Sequence, residues 1–196
     1  MPAAESTQIL ALGASAPEFH LKDVVTNEDI SLETFAGSKA LVVAFASPHC
    51  PFVKHVQVEL KNISDQYKAQ GVNVVIISSN DIGSHPADGP EGLAAWKNEQ
   101  GYGFPILFDE TQEVAKAYHA ACTPDFFVFD NNLALAYRGQ LDDSRPKNDK
   151  PVTGSDLRAA LDAIVAGQPV STEQRPSIGC NIKWRAGNEP AYFATA

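Results

Sequence analysis

The stretch LVVAFASPHCPFVKHVQVEL, residues 41–60, joins a strand pattern to a helix pattern, with a cysteine between them. Residues 41–46 form an apolar, valine-containing run, which is typical of a strand buried on both faces. From Val53 onward, apolar residues return at steps of three and four, the spacing of a helix with one buried face. A second strand pattern follows at 72–78. The sequence therefore predicts a strand–helix–strand crossover whose two strands are parallel.

The rest of the chain continues to alternate helices with strands. The patterns predict helices at 90–101 and 110–121, a last helix between Ser155 and Gly167, a strand at 104–109, a hairpin at 125–139 and a short strand at 180–184. Because a hairpin reverses the strand direction, the expected fold class is α/β with a mixed central β-sheet. We expect residues 1–167 to form one domain and residues 168–196 to form a C-terminal extension that wraps on the same domain.

Composition and charge exclude several classes of function. The chain has 196 residues, of which 44% are hydrophobic, and a net charge of -9, which opposes binding to nucleic acid or to an anionic membrane surface. No run approaches the ~20 apolar residues of a membrane-spanning helix, and the first residues do not resemble a signal peptide. We therefore expect a cytoplasmic protein. Three cysteines far apart in the chain indicate thiol chemistry or burial rather than a disulfide framework.

Cys50 lies at or beside the N-cap of the predicted helix, with Pro51 at the first helical position. Free amides and the helix dipole stabilise a thiolate there, and such sites lower the cysteine pKa from about 8.5 to roughly 3.5–7.5. His49, Lys54 and His55 add to this effect if they point toward the sulfur. The predicted chemistry is thiolate attack on a sulfur atom or on a peroxide oxygen. The alternative is a buried cysteine that only fills the core.

The residues around Cys50 do not form a metal-binding pattern. Cys50 with His49 or His55 matches no zinc-ligand spacing with partners downstream. The aspartates of the loop at 140–152 lack the regular ligand positions of a calcium-binding loop. We therefore expect no metal and no other cofactor.

Several segments of the chain resemble a known family. The stretch at 41–60 is similar to the active-site segment of the thioredoxin-fold superfamily, in which C-x-x-C begins a helix after a strand. GASAPEFHLKDVVTNEDISLETFAG, residues 13–37, resembles the opening of the alkyl hydroperoxide reductase and thiol-specific antioxidant (AhpC/TSA) family. CTPDFFVFD, residues 122–130, resembles the cis-proline segment of the superfamily. The whole pattern, with YRGQLDDSRP and a terminal PSIGCNIKW, resembles a bacterial branch of redoxin-domain proteins.

This resemblance has implications for both fold and activity. It implies a thioredoxin-like three-layer fold with a mixed central sheet, an N-terminal extension and a C-terminal tail. It implies that Thr123-Pro124 is a cis peptide bond and that both residues lie beside Cys50, where they contact the substrate. The implied activity is that of a thiol-dependent oxidoreductase, in which Cys50 attacks a disulfide or a hydroperoxide.

The family pattern leaves the identity of the second thiol open. Val53 stands where C-x-x-C has its second cysteine, so the resolving thiol must be Cys180, Cys122 or an external donor. We favour Cys180 slightly, because it lies on a tail that is able to approach Cys50 and to leave it again. For both Cys122 and Cys180, the alternative is a buried structural role.

Other residues are candidates for substrate binding. The peroxiredoxin pattern P-x-x-x-T-x-x-C has Val43 in place of its proline and Ser47 in place of its threonine, so the Ser47 hydroxyl is a partial substitute. His49 and Arg138 are further candidates for contacting a peroxide or an anionic substrate. For Arg138 the alternative is pairing with a surface carboxylate. Ala44 stands where many thioredoxins have a buried acid.

Three functions agree with these features. The first is a thiol-dependent oxidoreductase that takes a disulfide or hydroperoxide as substrate and a thiol reductant as partner, and the second is a true thiol peroxidase. The third is a redox-inert module that holds peptides in the groove beside Pro124, which loss of the second C-x-x-C thiol permits. No nucleic-acid or membrane partner is expected, and the sequence does not indicate the oligomeric state.

Overall fold

The computed structural model describes residues 3–195, and at its centre is a five-stranded sheet. The strands lie in the spatial order β6 (Ile106–Phe108), β5 (Val72–Ser78), β4 (Ala40–Phe45), β8 (Asp125–Asp130) and β9 (Leu135–Gly139). β4 pairs parallel with β5, as the crossover predicts, and antiparallel with β8, and β8 pairs antiparallel with β9, as the hairpin predicts. The sheet is therefore mixed, and the predicted α/β fold class is confirmed.

Helices cover both faces of this sheet. Within residues 3–195 the α-helices are α1 (Pro51–Lys68), α2 (Pro90–Gln100), α3 (Glu113–Ala117) and α4 (Ser155–Val165). Side chains of α1, α2 and α4 pack together against one sheet face. The other face packs against α3, the N-terminal segment around Phe19 and the C-terminal Trp184. The result is the expected three-layer arrangement, and none of the described helices is long and apolar enough to cross a membrane.

The position of α1 is fixed by its apolar stripe. The five buried side chains are those that the sequence spacing predicts: Val53, Val56, Leu60, Ile63 and Tyr67. Burial of one large aliphatic side chain contributes about 1.5–3 kcal/mol. The core packing of α1 therefore determines where its first turn, and the cysteine before it, lies relative to the sheet.

The predicted helix at 110–121 is much shorter in the structure. Only α3 is helical, because Gln112 and His119 take left-handed backbone conformations with φ of 66° and 53°. The buried Asp109 carboxylate accepts a hydrogen bond from the Ala115 N–H at 3.0 Å. Contacts with the core thus override the helical preference of the flanking residues.

A second sheet joins both ends of the chain to the loop before β8. β10 (Ile178–Asn181) pairs antiparallel with β1 (Ala3–Glu5) on one side and with β7 (Cys122–Thr123) on the other. In this register, Cys180 lies opposite Ala3 and Thr123. A separate two-stranded hairpin consists of β2 (His20–Lys22) and β3 (Asp29–Ser31). The C-terminal tail therefore lies directly beside the Thr123-Pro124 segment.

The close approach of β10 to β7 gives a test of this arrangement. A Cβ atom at Gly179 would lie 2.0 Å from the Thr123 carbonyl oxygen and 2.6 Å from its carbonyl carbon. We expect Gly179→Ala to push β10 away from β7 and to lower the free energy of unfolding by about 1–3 kcal/mol, measured by thermal unfolding. Gly103→Ala is the control, because a Cβ there meets no atom within 4 Å. Equal stability of the two variants would contradict the observed pairing.

Candidate active site

Cys50 occupies the N-cap position of α1, where the sequence places it, and Pro51 is the first helical residue. The Cys50 N–H donates to the Ser47 carbonyl at 3.4 Å, and the Cys50 carbonyl accepts a hydrogen bond from the Lys54 N–H at 3.0 Å. The side chain of Cys50 is fully buried. The turn between β4 and α1 therefore holds the sulfur beneath the surface.

The sulfur of Cys50 lies against Thr123 and Cys180. In its thiol form, Cys50 Sγ donates to the Thr123 carbonyl oxygen at 3.1 Å. In its thiolate form it accepts a hydrogen bond from the Cys180 thiol, and this bond is the main cause that lowers the pKa of Cys50 to about 5. Burial opposes the thiolate, while the Thr123 side chain and the Val53 amide also stabilise it. These contacts favour the thiolate form of Cys50 at neutral pH.

Cys180 keeps its proton while Cys50 is charged. The hydrogen bond to Cys50 and burial together hold the pKa of Cys180 well above its usual range, so the two sulfurs share one proton. The basic neighbours named by the sequence analysis contribute less to stabilising the Cys50 thiolate. Lys54 is exposed, and His55 Nε2 is hydrogen-bonded to Ser144 Oγ at 2.7 Å. A neighbouring thiol, rather than a cation, is thus the main partner of the thiolate.

Cys122 is buried as well, but it is directed away from Cys180. In the ladder between β10 and β7, Cys180 lies opposite Thr123, so Cys122 presents its side chain to the other face. Cys122 Sγ lies 3.6 Å from the carbonyl oxygen of Pro124 and 3.9 Å from that of Ser177. Burial raises the pKa of Cys122 well above its usual value. These contacts favour the structural alternative for this thiol.

The Thr123-Pro124 peptide bond is cis, as the resemblance implies. Thr123 also contacts the tail, since its Oγ1 donates to the Cys180 carbonyl at 3.5 Å. The backbone edge of β7 pairs with β10, and Thr123 is buried. The chain's own tail therefore occupies the position beside the cis-proline where a peptide would otherwise pair.

A polar cluster lies next to Cys50 and joins His49, a predicted candidate, to residues that the sequence analysis missed. His49 Nδ1 forms an ion pair with Asp88 Oδ2 at 2.5 Å, and the same oxygen accepts a hydrogen bond from Asn80 Nδ2 at 2.9 Å. The His49 ring stacks on His85 with a centroid distance of 4.5 Å. Two connections far apart in the sequence bring these residues together, the turn before α1 and the segment between β5 and α2, so no local sequence pattern reveals the cluster. Within the described chain, no three His, Cys, Asp or Glu side chains converge as a metal site requires.

The two other predicted substrate contacts, Ser47 and Arg138, lie in different parts of the structure. Ser47 Oγ is buried and has no hydrogen-bond partner among the described residues, so its hydroxyl is available three positions before Cys50. Arg138 pairs with Phe127 in the hairpin, and Phe127 belongs to the core on the sheet face opposite to that of Cys50. Arg138 Nε donates instead to the Gln8 carbonyl at 3.1 Å. The structure does not bring Arg138 to Cys50, because strand alternation directs it to the other face.

Asp125 is a buried acid that the sequence analysis also missed. It follows Pro124 at the start of β8, and burial raises the pKa of its carboxyl well above the usual range. Its charge acts on Cys122. Ala44 does stand in place of the acid of many thioredoxins, but this chain has an acid on the neighbouring strand. The sequence feature that could have identified this buried acid is an aspartate directly before the apolar run FFVF.

The segment that contains Cys50, the crossover and the cis-proline hairpin also matches a family model. Residues 12–138 match the AhpC/TSA family. The chain belongs to the AhpC/TSA family. Its fold is thioredoxin-like, as the resemblance implies.

This AhpC/TSA protein has relatives of several kinds. One relative is an uncharacterized conserved protein from Geobacillus kaustophilus, known from a crystal structure, whose sequence is 54% identical to this chain. The two structures align with a TM-score of 0.92 over 94% of this chain and 97% of the Geobacillus chain. A Mycobacterium tuberculosis protein named "Putative peroxiredoxin" is 31% identical over 114 residues, which are 58% of this chain and 67% of the relative. The thiol-disulfide oxidoreductase ResA of G. kaustophilus is 26% identical over 125 residues, 63% of this chain and 66% of its own length.

The hydrogen bond between Cys180 and Cys50 predicts how the thiolate titrates. We expect the iodoacetamide labelling rate of Cys50 to rise with pH through a midpoint of about 5, below the ~8.5 of free cysteine. In Cys180→Ala the midpoint should rise, because the buried thiolate loses its main hydrogen bond. Mass spectrometry after brief labelling across a pH series measures this, with Cys122→Ala as the control. An unchanged midpoint in Cys180→Ala would contradict the assignment.

Proposed function

We propose that the protein is a thiol-dependent oxidoreductase in which Cys50 is the attacking thiolate and Cys180 the resolving thiol. The observation that carries the proposal is the ladder that sets Cys180 opposite Thr123, whose carbonyl oxygen accepts a hydrogen bond from the Cys50 thiol at 3.1 Å, so that the two sulfurs are neighbours. It supports two roles at once, because it stabilises the Cys50 thiolate and holds a second thiol within reach of any intermediate formed on Cys50.

The reaction with a hydroperoxide has two steps. The Cys50 thiolate attacks the terminal oxygen, so that an S–O bond forms, the O–O bond breaks, and the leaving alkoxide takes up a proton to become an alcohol. The Cys180 sulfur then attacks the sulfenic acid on Cys50, an S–S bond forms, and the hydroxyl leaves with the Cys180 proton as water. Two electrons pass from the dithiol to the peroxide, and an external thiol reductant returns them.

The closed geometry of the site favours a small oxidant as substrate. Cys50 is fully buried and Cys180 is only 4% exposed. A protein disulfide reaches these sulfurs only if β10 leaves β7, whereas a small hydroperoxide needs a much narrower opening. The same argument counts against a peptide-binding module, because the tail already fills the groove beside Pro124.

Thiol-disulfide exchange with a protein substrate is the second candidate. It is supported by the relationship to ResA, which is named as a thiol-disulfide oxidoreductase. The dithiol of Cys50 and Cys180 serves this reaction equally well once β10 is displaced.

We further propose the cytoplasm as the site of this antioxidant activity, since an odd number of distant cysteines is typical of reducing compartments.

Peptide mapping after mild oxidation tests the proposal. We expect about one equivalent of hydrogen peroxide to produce a Cys50–Cys180 disulfide in the wild type and in Cys122→Ala. In Cys180→Ala, Cys50 should stop at the sulfenic acid, which a dimedone probe traps, because no second thiol is in contact with it. Non-reducing mass spectrometry identifies each product. A disulfide that persists in Cys180→Ala and vanishes in Cys122→Ala would overturn the assignment, and an unreactive Cys50 would overturn the oxidoreductase function.

A further inference from the structure

The ring of His49, which directly precedes Cys50 on the turn between β4 and α1, is held in one orientation. Its Nδ1 forms the ion pair with Asp88 Oδ2 at 2.5 Å. A carboxylate has no hydrogen to give, so the nitrogen that faces it carries one. The other ring nitrogen, Nε2, is shielded from solvent and has no hydrogen-bond partner within residues 3–195. Nε2 is therefore the nitrogen of His49 that is able to exchange a proton with a substrate.

Asp88 provides a charge partner for a protonated His49 ring. The Asp88 side chain is fully buried, and Asn80 Nδ2 donates to its Oδ2 at 2.9 Å. Its second oxygen, Oδ1, has no hydrogen-bond partner in the described part of the chain. A buried carboxylate with so little compensation is unfavourable unless a cation faces it. The imidazolium form of His49 supplies that cation, and in this form Nε2 carries a proton that it is able to give up.

His85 does not compete with His49 for this charge. The two rings stack with a centroid distance of 4.5 Å. Burial, and then the positive charge of His49, lower the pKa of His85. His85 Nδ1 is hydrogen-bonded to the neutral Ser84 Oγ at 3.0 Å, whereas His49 faces a carboxylate. In the stacked pair the charge therefore resides on the ring that is next to Cys50 in the chain.

A solvent-open cavity of about 390 Å³ reaches the same turn from the side of α2. Its lining includes Pro48 and His49 of the turn, Gln57 of α1 and Trp96 of α2. The His49 ring thus borders the cavity, while both of its nitrogens are shielded from solvent. Cys50 follows these wall residues and is fully buried. The cavity therefore offers a small hydroperoxide an approach to this turn that leaves β10 paired with β7.

The proposed peroxide chemistry requires a proton at this turn. When the Cys50 thiolate cleaves an O–O bond, an alkoxide leaves, and its expulsion is faster if a nearby acid protonates it. Cys180 gives up its proton in the second step, when the hydroxyl leaves as water. The Lys183 ammonium of the tail is engaged by Asn181, since its Nζ donates to the carbonyl oxygen and to Oδ1 of that residue. His49 is the acid that the turn itself places beside Cys50.

We propose that His49, oriented by Asp88, donates the proton to the leaving oxygen when Cys50 reduces a hydroperoxide. The inference rests on the proposed peroxide chemistry. The His49 imidazolium gives its Nε2 proton to the alkoxide, which leaves as an alcohol, and the ring becomes neutral. When two thiols of the external reductant later open the Cys50–Cys180 disulfide, they release two protons. One returns to Cys180 and the other to His49, because Cys50 ends the cycle as a thiolate.

The choice of oxidant separates proton donation from a structural role of His49. Cleavage of tert-butyl hydroperoxide expels a strongly basic alkoxide, whereas cleavage of peracetic acid expels acetate, which is stable without a proton. A proton donor accelerates mainly the first reaction. A residue that only positions the Cys50 turn should affect both reactions equally.

Stopped-flow kinetics at neutral pH with both oxidants would compare the wild type, His49→Asn and His55→Gln. His49→Asn keeps an amide N–H for Asp88 but has no counterpart of Nε2. We expect it to lose about 100-fold in rate with tert-butyl hydroperoxide and less than about threefold with peracetic acid. His55→Gln is the matched control, because its amide nitrogen is able to keep the contact of His55 with Ser144 Oγ. It should match the wild type with both oxidants.

His49→Gln is the second variant, because its longer amide lies closer to the position of Nε2 but has no transferable proton, so it should show the same selective loss. An equal loss with both oxidants, or an undiminished rate with tert-butyl hydroperoxide in either His49 variant, would overturn proton donation. These outcomes refute the inference alone if the wild type still forms the Cys50–Cys180 disulfide. A wild type that forms no such disulfide would instead refute the proposed function.

Discussion

The pairing of β10 with β7 is the interaction on which the candidate site depends. It sets Cys180 opposite Thr123 and, through Thr123, next to the N-cap cysteine of α1. The outer edge of β10 is held by β1, so both ends of the chain contribute to the position of one thiol. Ser177 strengthens the same contact, because its Oγ donates to the Pro124 carbonyl at 2.6 Å. In the proposed mechanism, a β-ladder of a few residues thereby supplies the second thiol that α1 itself supplies in C-x-x-C proteins.

The burial of Cys50 makes its charge state a balance of opposing effects. Transfer of a thiolate from water into the protein is unfavourable, and burial accordingly opposes ionisation. The donors that face the sulfur come from three elements: the Cys180 thiol of β10, the Thr123 side chain of β7 and the Val53 amide of α1. Their combined effect exceeds that of burial, because hydrogen bonds to a charged acceptor are stronger in a site shielded from water.

A polar bridge couples the tail to the active-site turn. Asn80 accepts a hydrogen bond from the Lys183 N–H and donates one to Asp88, which in turn pairs with His49 beside Cys50. The tail is thus attached to the turn by polar contacts as well as by the strand that carries the second thiol. Polar contacts of this kind separate more readily than a packed apolar core, which agrees with the proposal that the tail opens for a reductant.

The sequence by itself determined the architecture around Cys50. Short-range rules were sufficient, because the apolar strand run, the three-and-four spacing of α1 and Pro51 at its first turn all act within one crossover. The order of the family-like segments extended this to the cis bond at Pro124 and to the thioredoxin-like sheet. The reduction of the predicted helix at 110–121 to the five residues of α3 shows the limit, since a buried carboxylate from Asp109 outweighed local preference.

Only the tertiary structure decided which groups meet the sulfur. The sequence favours Cys180 over Cys122 only slightly, but the strand register gives them opposite faces, and a shift of one residue would exchange them. Strand alternation likewise took Arg138 to the far side of the sheet, while a separate loop brought Asp88 to His49 beside Cys50. These are contacts between residues far apart in the chain, and their geometry depends on packing and register that no local pattern encodes.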